Sequence, residues 1–79
     1  MAGNMKKLSE ITKGMEGTIL EISEASECAG RLMSFGLLPG VRVKLIQVAP
    51  LGDPITIEFS GQRISLRRAD ASCVTVENS

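Results

Sequence analysis

Apolar and polar residues alternate with a period of two through most of the second half of the chain. Val41, Val43 and Leu45 interleave with Arg42 and Lys44, and Ile55, Ile57 and Phe59 with Thr56, Glu58 and Ser60. Ile64 and Leu66 then alternate with Arg63, Ser65 and Arg67, and Val74 and Val76 close the series. A strand points successive side chains to opposite faces, so each run predicts a strand with one buried face. The alternation slips in the longest run, 41–49, where Ile46 and Val48 are apolar and Gln47 is polar. Such a phase change predicts a bulge or sharp bend. An earlier run, Thr18–Ile22, is rich in β-branched residues and reads as a strand. Its inner face is ambiguous, because Leu20 and Ile22 share one side and Ile19 occupies the other. Burial on both sides is expected there.

Between the first two of these strands the period changes. Ala25, Cys28, Ala29, Leu32 and Met33 recur at spacings of three and four, the apolar stripe of a helix. Ser23 or Ser26 can accept a hydrogen bond from an amide at the helix start, and Glu24 and Glu27 lie near the positive end of its dipole. Gly30 lowers helix stability by about 1 kcal/mol relative to alanine, which a close backbone approach would justify. Gly36 fits the left-handed residue that stops a helix, with Leu37 expected to touch Leu32. Pro39-Gly40 suits the centre of a type II turn. Lys13-Gly14-Met15-Glu16-Gly17, Pro50-Leu51-Gly52-Asp53-Pro54 and Gly61-Gln62 read as turns or loops. Met5–Thr12 fits either one helical turn or an extended lead-in, and Arg68–Ser72 a single tight turn.

The expected fold is mainly β: a small SH3-like barrel of about five strands, with one helix between the first and second. A chain of 79 residues is one domain. The expected unit spans residues 5–77, with flexible termini at 1–4 and 78–79.

Charge and side-chain chemistry narrow the function. Nine basic and nine acidic residues cancel, and neither half carries an excess of more than one. Nucleic-acid binding draws on phosphate neutralisation and stacking, and Phe35 and Phe59 are the only aromatics. Both facts argue against nucleic acid as a partner. There is no histidine, no P-loop and no Gly-x-Gly-x-x-Gly, so nucleophile–base pairs built on histidine and phosphate cradles are absent. The chain is not expected to be an enzyme. Lys6 and Lys7 precede Leu8-Ser9-Glu10-Ile11 rather than an apolar run, so no signal peptide or membrane span is expected. A cytoplasmic location and reduced thiols at Cys28 and Cys73 follow. Cys28 fits the apolar helix stripe. The alternative makes Cys28 or Cys73, with nearby carboxylates, ligands for ferrous iron or zinc in a metal-responsive regulatory domain. Leu37, Leu38 and Leu51 either close the barrel ends or form an apolar patch for a protein partner.

Three segments together resemble one family. Arg31-Leu32, Phe35-Gly36-Leu37 and Pro39-Gly40 look like the signature of the FeoA family of small bacterial proteins. Ala49–Pro54 matches that family's loop, and Ile64-Ser65-Leu66-Arg67 with Asp70-Ala71 matches its final segment. Phe35 stands where an aliphatic residue is more usual. The resemblance implies an SH3-like barrel and a cytosolic, non-enzymatic accessory role in bacterial ferrous iron uptake. Its implied partner is FeoB, a membrane transporter with a cytoplasmic GTP-binding domain, so that contact with the membrane would come only through the partner. FeoA-like domains also end iron-dependent repressors, but no DNA-binding helices precede this one, so a whole repressor is not expected. Without histidine no metal or cofactor site is assigned. Arg31, Leu37, Leu38, Leu51 and Asp53, on or beside the two stiff loops, are the expected partner-binding residues.

Overall fold

The computed structural model describes residues 4–23 and 28–78. In chain order these form β1 (Asn4–Lys7), a 3-10 turn (Leu8–Glu10), β2 (Glu16–Ile22), α1 (Cys28–Ser34) and β3 (Arg42–Val48). β4 (Ile55–Phe59), β5 (Gln62–Leu66), α2 (Arg68–Ala71) and β6 (Val74–Asn78) follow. The strands build one antiparallel sheet in the order β1-β6-β2-β3-β4-β5. The sixth strand is β1, where both lead-in readings of Met5–Thr12 turn out to hold in succession: an extended segment and then a helical turn. Asn4 pairs with Asn78 at the outer end of the β1–β6 ladder.

Two bulges explain how the apolar residues reach one core. In β2 the register to β6 shifts between Ile19 and Glu21. Leu20 occupies the irregularity and stays exposed, while Ile19 and Ile22 are both buried. The ambiguous face of this strand is thus resolved by an extra residue, not by burial on two sides. In β3 the register to β4 shifts between Leu45 and Gln47, where the alternation slips. β4 keeps strict alternation, with Ile55, Ile57 and Phe59 buried.

The stop of α1 is a complete Schellman motif. Gly36 N–H donates to the Met33 carbonyl (3.0 Å) and Leu37 N–H to the Leu32 carbonyl (3.2 Å), with Gly36 at φ 101°. Leu32 and Leu37 are both fully buried. Val41 N–H then donates to the Leu38 carbonyl and Gly40 has φ 94°, the type II turn expected of Pro39-Gly40. Between β4 and β5 the turn residues are Ser60 and Gly61, both at positive φ, so Gln62 belongs to β5. Gly17 lies within β2, where a Cβ would come within 3.1 Å of the Glu77 carbonyl oxygen and the Val76 Cβ. Its lack of a side chain admits the β6 backbone.

Two local expectations need correction, at Gly30 and Cys73. Ser23 donates its N–H to the Cys73 carbonyl beside β6. Ser26, Glu24, Ala25 and Glu27 lie outside the described residues. Gly30 is exposed with nothing within 4 Å of where its Cβ would stand, so among the described residues no close approach explains it. Cys73 is disulfide-bonded rather than reduced.

Among the described residues the ladder does not close on itself. β1 and β5 are its edges, and side-chain bonds from Arg68 bridge the ends of the two strands. Its Nη1 donates to the Ser9 carbonyl just after β1, and its Nε donates to the Gly52 carbonyl in the β3–β4 loop.

Candidate partner-binding surface

The outer face of the sheet is electrically self-compensating. Glu16 faces Lys44 across β2–β3, Lys44 faces Glu58 across β3–β4, and Glu58 faces Arg63 across β4–β5. Arg63 Nε lies 3.3 Å from Glu58 Oε2, and Arg42 Nε lies 3.3 Å from Glu16 Oε1. Opposite charges alternate across four strands, so this face offers no continuous basic field of the kind phosphate backbones require.

The expected partner residues fall into different environments. Leu37 is fully buried in the helix stop. Leu38, one residue on, is 46% exposed, and Leu51 at the tip of the β3–β4 loop is 95% exposed. Asp53 Oδ1 accepts the Arg68 N–H at 3.1 Å, so its carboxylate holds the loop against the first turn of α2. Arg31 Nη2 lies 2.6 Å from Asp70 Oδ2, tying α1 to α2. Leu38 lies in the turn that enters β3 and Leu51 in the loop that leaves it. A seven-residue strand is roughly 20 Å long, so these leucines are two separate exposed points.

The sequence reading missed Leu20, which the bulge in β2 turns outward. It follows Ile19, whose carbonyl accepts the Gly40 N–H at 2.7 Å, so Leu20 emerges beside the turn that carries Leu38. Only the phase conflict between Ile19 and Leu20 hinted at this. Phe35, at the helix cap, is 43% exposed, and Met5 on β1 is 70% exposed.

No three His, Cys, Asp or Glu side chains among the described residues are placed to hold a metal ion. A disulfide sulfur also lacks the thiolate that ligates iron or zinc. No helix among the described residues is long and apolar enough to cross a membrane.

A six-stranded antiparallel sheet carrying one short helix on the connection into its longest bent strand is the architecture of a small SH3-like domain. The FeoA domain model matches residues 6–78, and the chain belongs to the FeoA family. A FeoA protein from Chlorobium tepidum is 34% identical, with 92% of this chain and 70% of that one covered at a TM-score of 0.83. The Stenotrophomonas maltophilia FeoA complexed with zinc is described as a prokaryotic SH3 domain protein. It shares the fold at a TM-score of 0.81, 24% identity and coverage of 91% and 89% of the two chains. A fusion protein of Fe(2+) transport protein A and the Fe(2+) transporter FeoB, from Porphyromonas gingivalis, is 31% identical over 71 residues. That match takes in 90% of this chain and 8% of the fusion protein.

Proposed function

We propose that this chain is a non-enzymatic accessory protein of bacterial ferrous iron uptake, which docks in the cytoplasm on the GTP-dependent transporter FeoB and modulates it. One observation carries the reading: a relative holds a segment like this chain and FeoB in one polypeptide. Covalent linkage makes a contact intramolecular and raises its effective concentration, which favours parts that act on each other. Modulation requires the docked domain to bind one conformational or nucleotide state better than another.

Leu38 and Leu51 are the contacts of choice, because large exposed apolar side chains gain most on burial. Leu37 holds the Leu38 turn from beneath, and Asp53 and Arg31 fix the loop and helix that present the surface. The metal-responsive reading gains no support from the described residues, and the zinc complex concerns a distant relative.

Binding to the purified cytoplasmic domain of the cognate FeoB, measured with Leu38→Asp and Leu51→Asp, tests the proposal. Neither exposed side chain contributes much to the core, so both variants keep their melting temperature. At least one is expected to bind about tenfold or more weakly, as for a truncated interface anchor. Unchanged binding by both variants removes the two loops from the interface. No binding by the unaltered chain overturns the docking itself.

A further inference from the structure

The outer edge of β5 has no strand beside it among the described residues, and α1 flanks it across an open groove. Arg31, Phe35, Ser65, Leu66, Arg67 and Asp70 line that groove. A two-residue turn with positive φ at both Ser60 and Gly61 makes Phe59 and Gln62 a hydrogen-bonded pair. Bonded and non-bonded pairs then alternate, so Ile64 and Leu66 point their amides and carbonyls at β4. The amides and carbonyls of Arg63 and Ser65 point the other way, toward the open edge.

Charge selects what can approach. The edge carries the guanidiniums of Arg63 and Arg67, and Arg31 faces it from α1. Glu58 takes Arg63 and Asp70 takes Arg31, while Arg67 is exposed and has no ion pair among the described residues. Phe35 supplies an exposed apolar surface at the far wall.

We propose that the β5 edge is a strand-addition site for an extended acidic peptide segment, with carboxylates alternating with apolar side chains. About five residues, or roughly 17 Å, match the length of β5. The partner's backbone pairs with Arg63 and Ser65. Its carboxylates lie on the outer face beside Arg63 and Arg67, and its apolar side chains turn inward toward Phe35. Main-chain bonds supply affinity in this mode and alternate side chains supply specificity. A second copy of this chain is a poor occupant: β1, the other exposed edge, carries Lys6 and Lys7 and would bring like charges together. The site shares Arg31 with the surface proposed above but does not depend on docking to the transporter.

The test is a titration of the isotope-labelled chain, followed by amide NMR, with two capped synthetic probes. One alternates valine with glutamate and the other valine with lysine. The glutamate probe is expected to shift Arg63–Arg67 and Phe35, to slow hydrogen exchange at Arg63 and Ser65, and to bind about tenfold more tightly than the lysine probe at low salt. Arg67→Glu is expected to reverse that preference. Ser65→Pro removes an edge N–H that β4 does not use and is expected to weaken the glutamate probe about fivefold. Equal binding of both probes, shifts at β1 instead of β5, or no saturable shift overturns the proposal. If Ser65→Pro does not fold, the charge swap at Arg67 decides alone.

Discussion

Gly30 and Gly36 lie six residues apart and answer opposite demands. Gly36 has φ 101°, a conformation that costs an L-residue about 1–2 kcal/mol. A Cβ there would meet only the Phe59 ring at 3.6 Å, an ordinary contact, so backbone strain sets the whole penalty. Gly30 has helical neighbours and empty space around its Cβ direction. The same substitution should therefore change sign between the two sites. Gly36→Ala is expected to destabilise by about 1–2 kcal/mol, and Gly30→Ala to stabilise by up to about 1 kcal/mol. Urea unfolding of both variants checks this; a Gly36→Ala change near zero would contradict the left-handed stop. The Gly36 stop was legible because Gly, Leu and the Pro-Gly turn sit at fixed offsets from the end of the apolar stripe. The reason for Gly30 was not legible, since nothing local distinguishes a packed helical glycine from an exposed one.

At the scale of elements, the sheet's outer face is held by charge order. Lys44 stands between Glu16 and Glu58 on the neighbouring strands. Lys44→Glu would set three carboxylates in a row, and like charges directly opposite each other are destabilising. A loss of about 0.5–2 kcal/mol is expected at low salt, shrinking at about 1 M salt where the screening length falls to about 3 Å. Thermal melts at both salt concentrations measure it; a loss independent of salt would point to packing instead of charge. Periodicity made β3, β4 and β5 readable, and the slip at Ile46 announced its bulge. The bulge at Leu20 was only half readable: the conflict of phase was visible, but its solution needed the partner strand β6. The strand β1 was missed as a separate element because its exposed Met5 and paired lysines carry no apolar alternation. For the same reason Leu20 and Phe35 were not recognised as surface residues, while Leu51, at the tip of a loop between two prolines, could be.

At the scale of the whole molecule, the ladder leaves its two ends unpaired, and Arg68 ties them. Its guanidinium donates to the Ser9 and Gly52 carbonyls, while its backbone N–H is held by the Asp53 carboxylate. One half-buried residue thus joins the turn after β1, the β3–β4 loop and the start of α2. None of this was legible in the sequence, where Arg68 is one arginine in an Arg-Arg pair and its acceptors are main-chain carbonyls with no residue signature. A planar fork can serve two carbonyls that diverge, whereas an ammonium is a single point of charge. Arg68→Lys should therefore recover little of what Arg68→Ala loses. Each lost charge-assisted bond is worth about 1.5–3 kcal/mol, reduced here by water entering at a half-buried site, so a total of about 2–3 kcal/mol is expected for either variant. At roughly 4–8 °C per kcal/mol in a domain of this size, the melting temperature should fall by about 8–24 °C. The effect should be local before it is global: amide exchange should accelerate first in the β3–β4 loop and the turn after β1, because these are the segments the guanidinium joins. Full recovery by lysine, or faster exchange confined to β4, would show that backbone packing holds the two ends together and that the arginine merely decorates them.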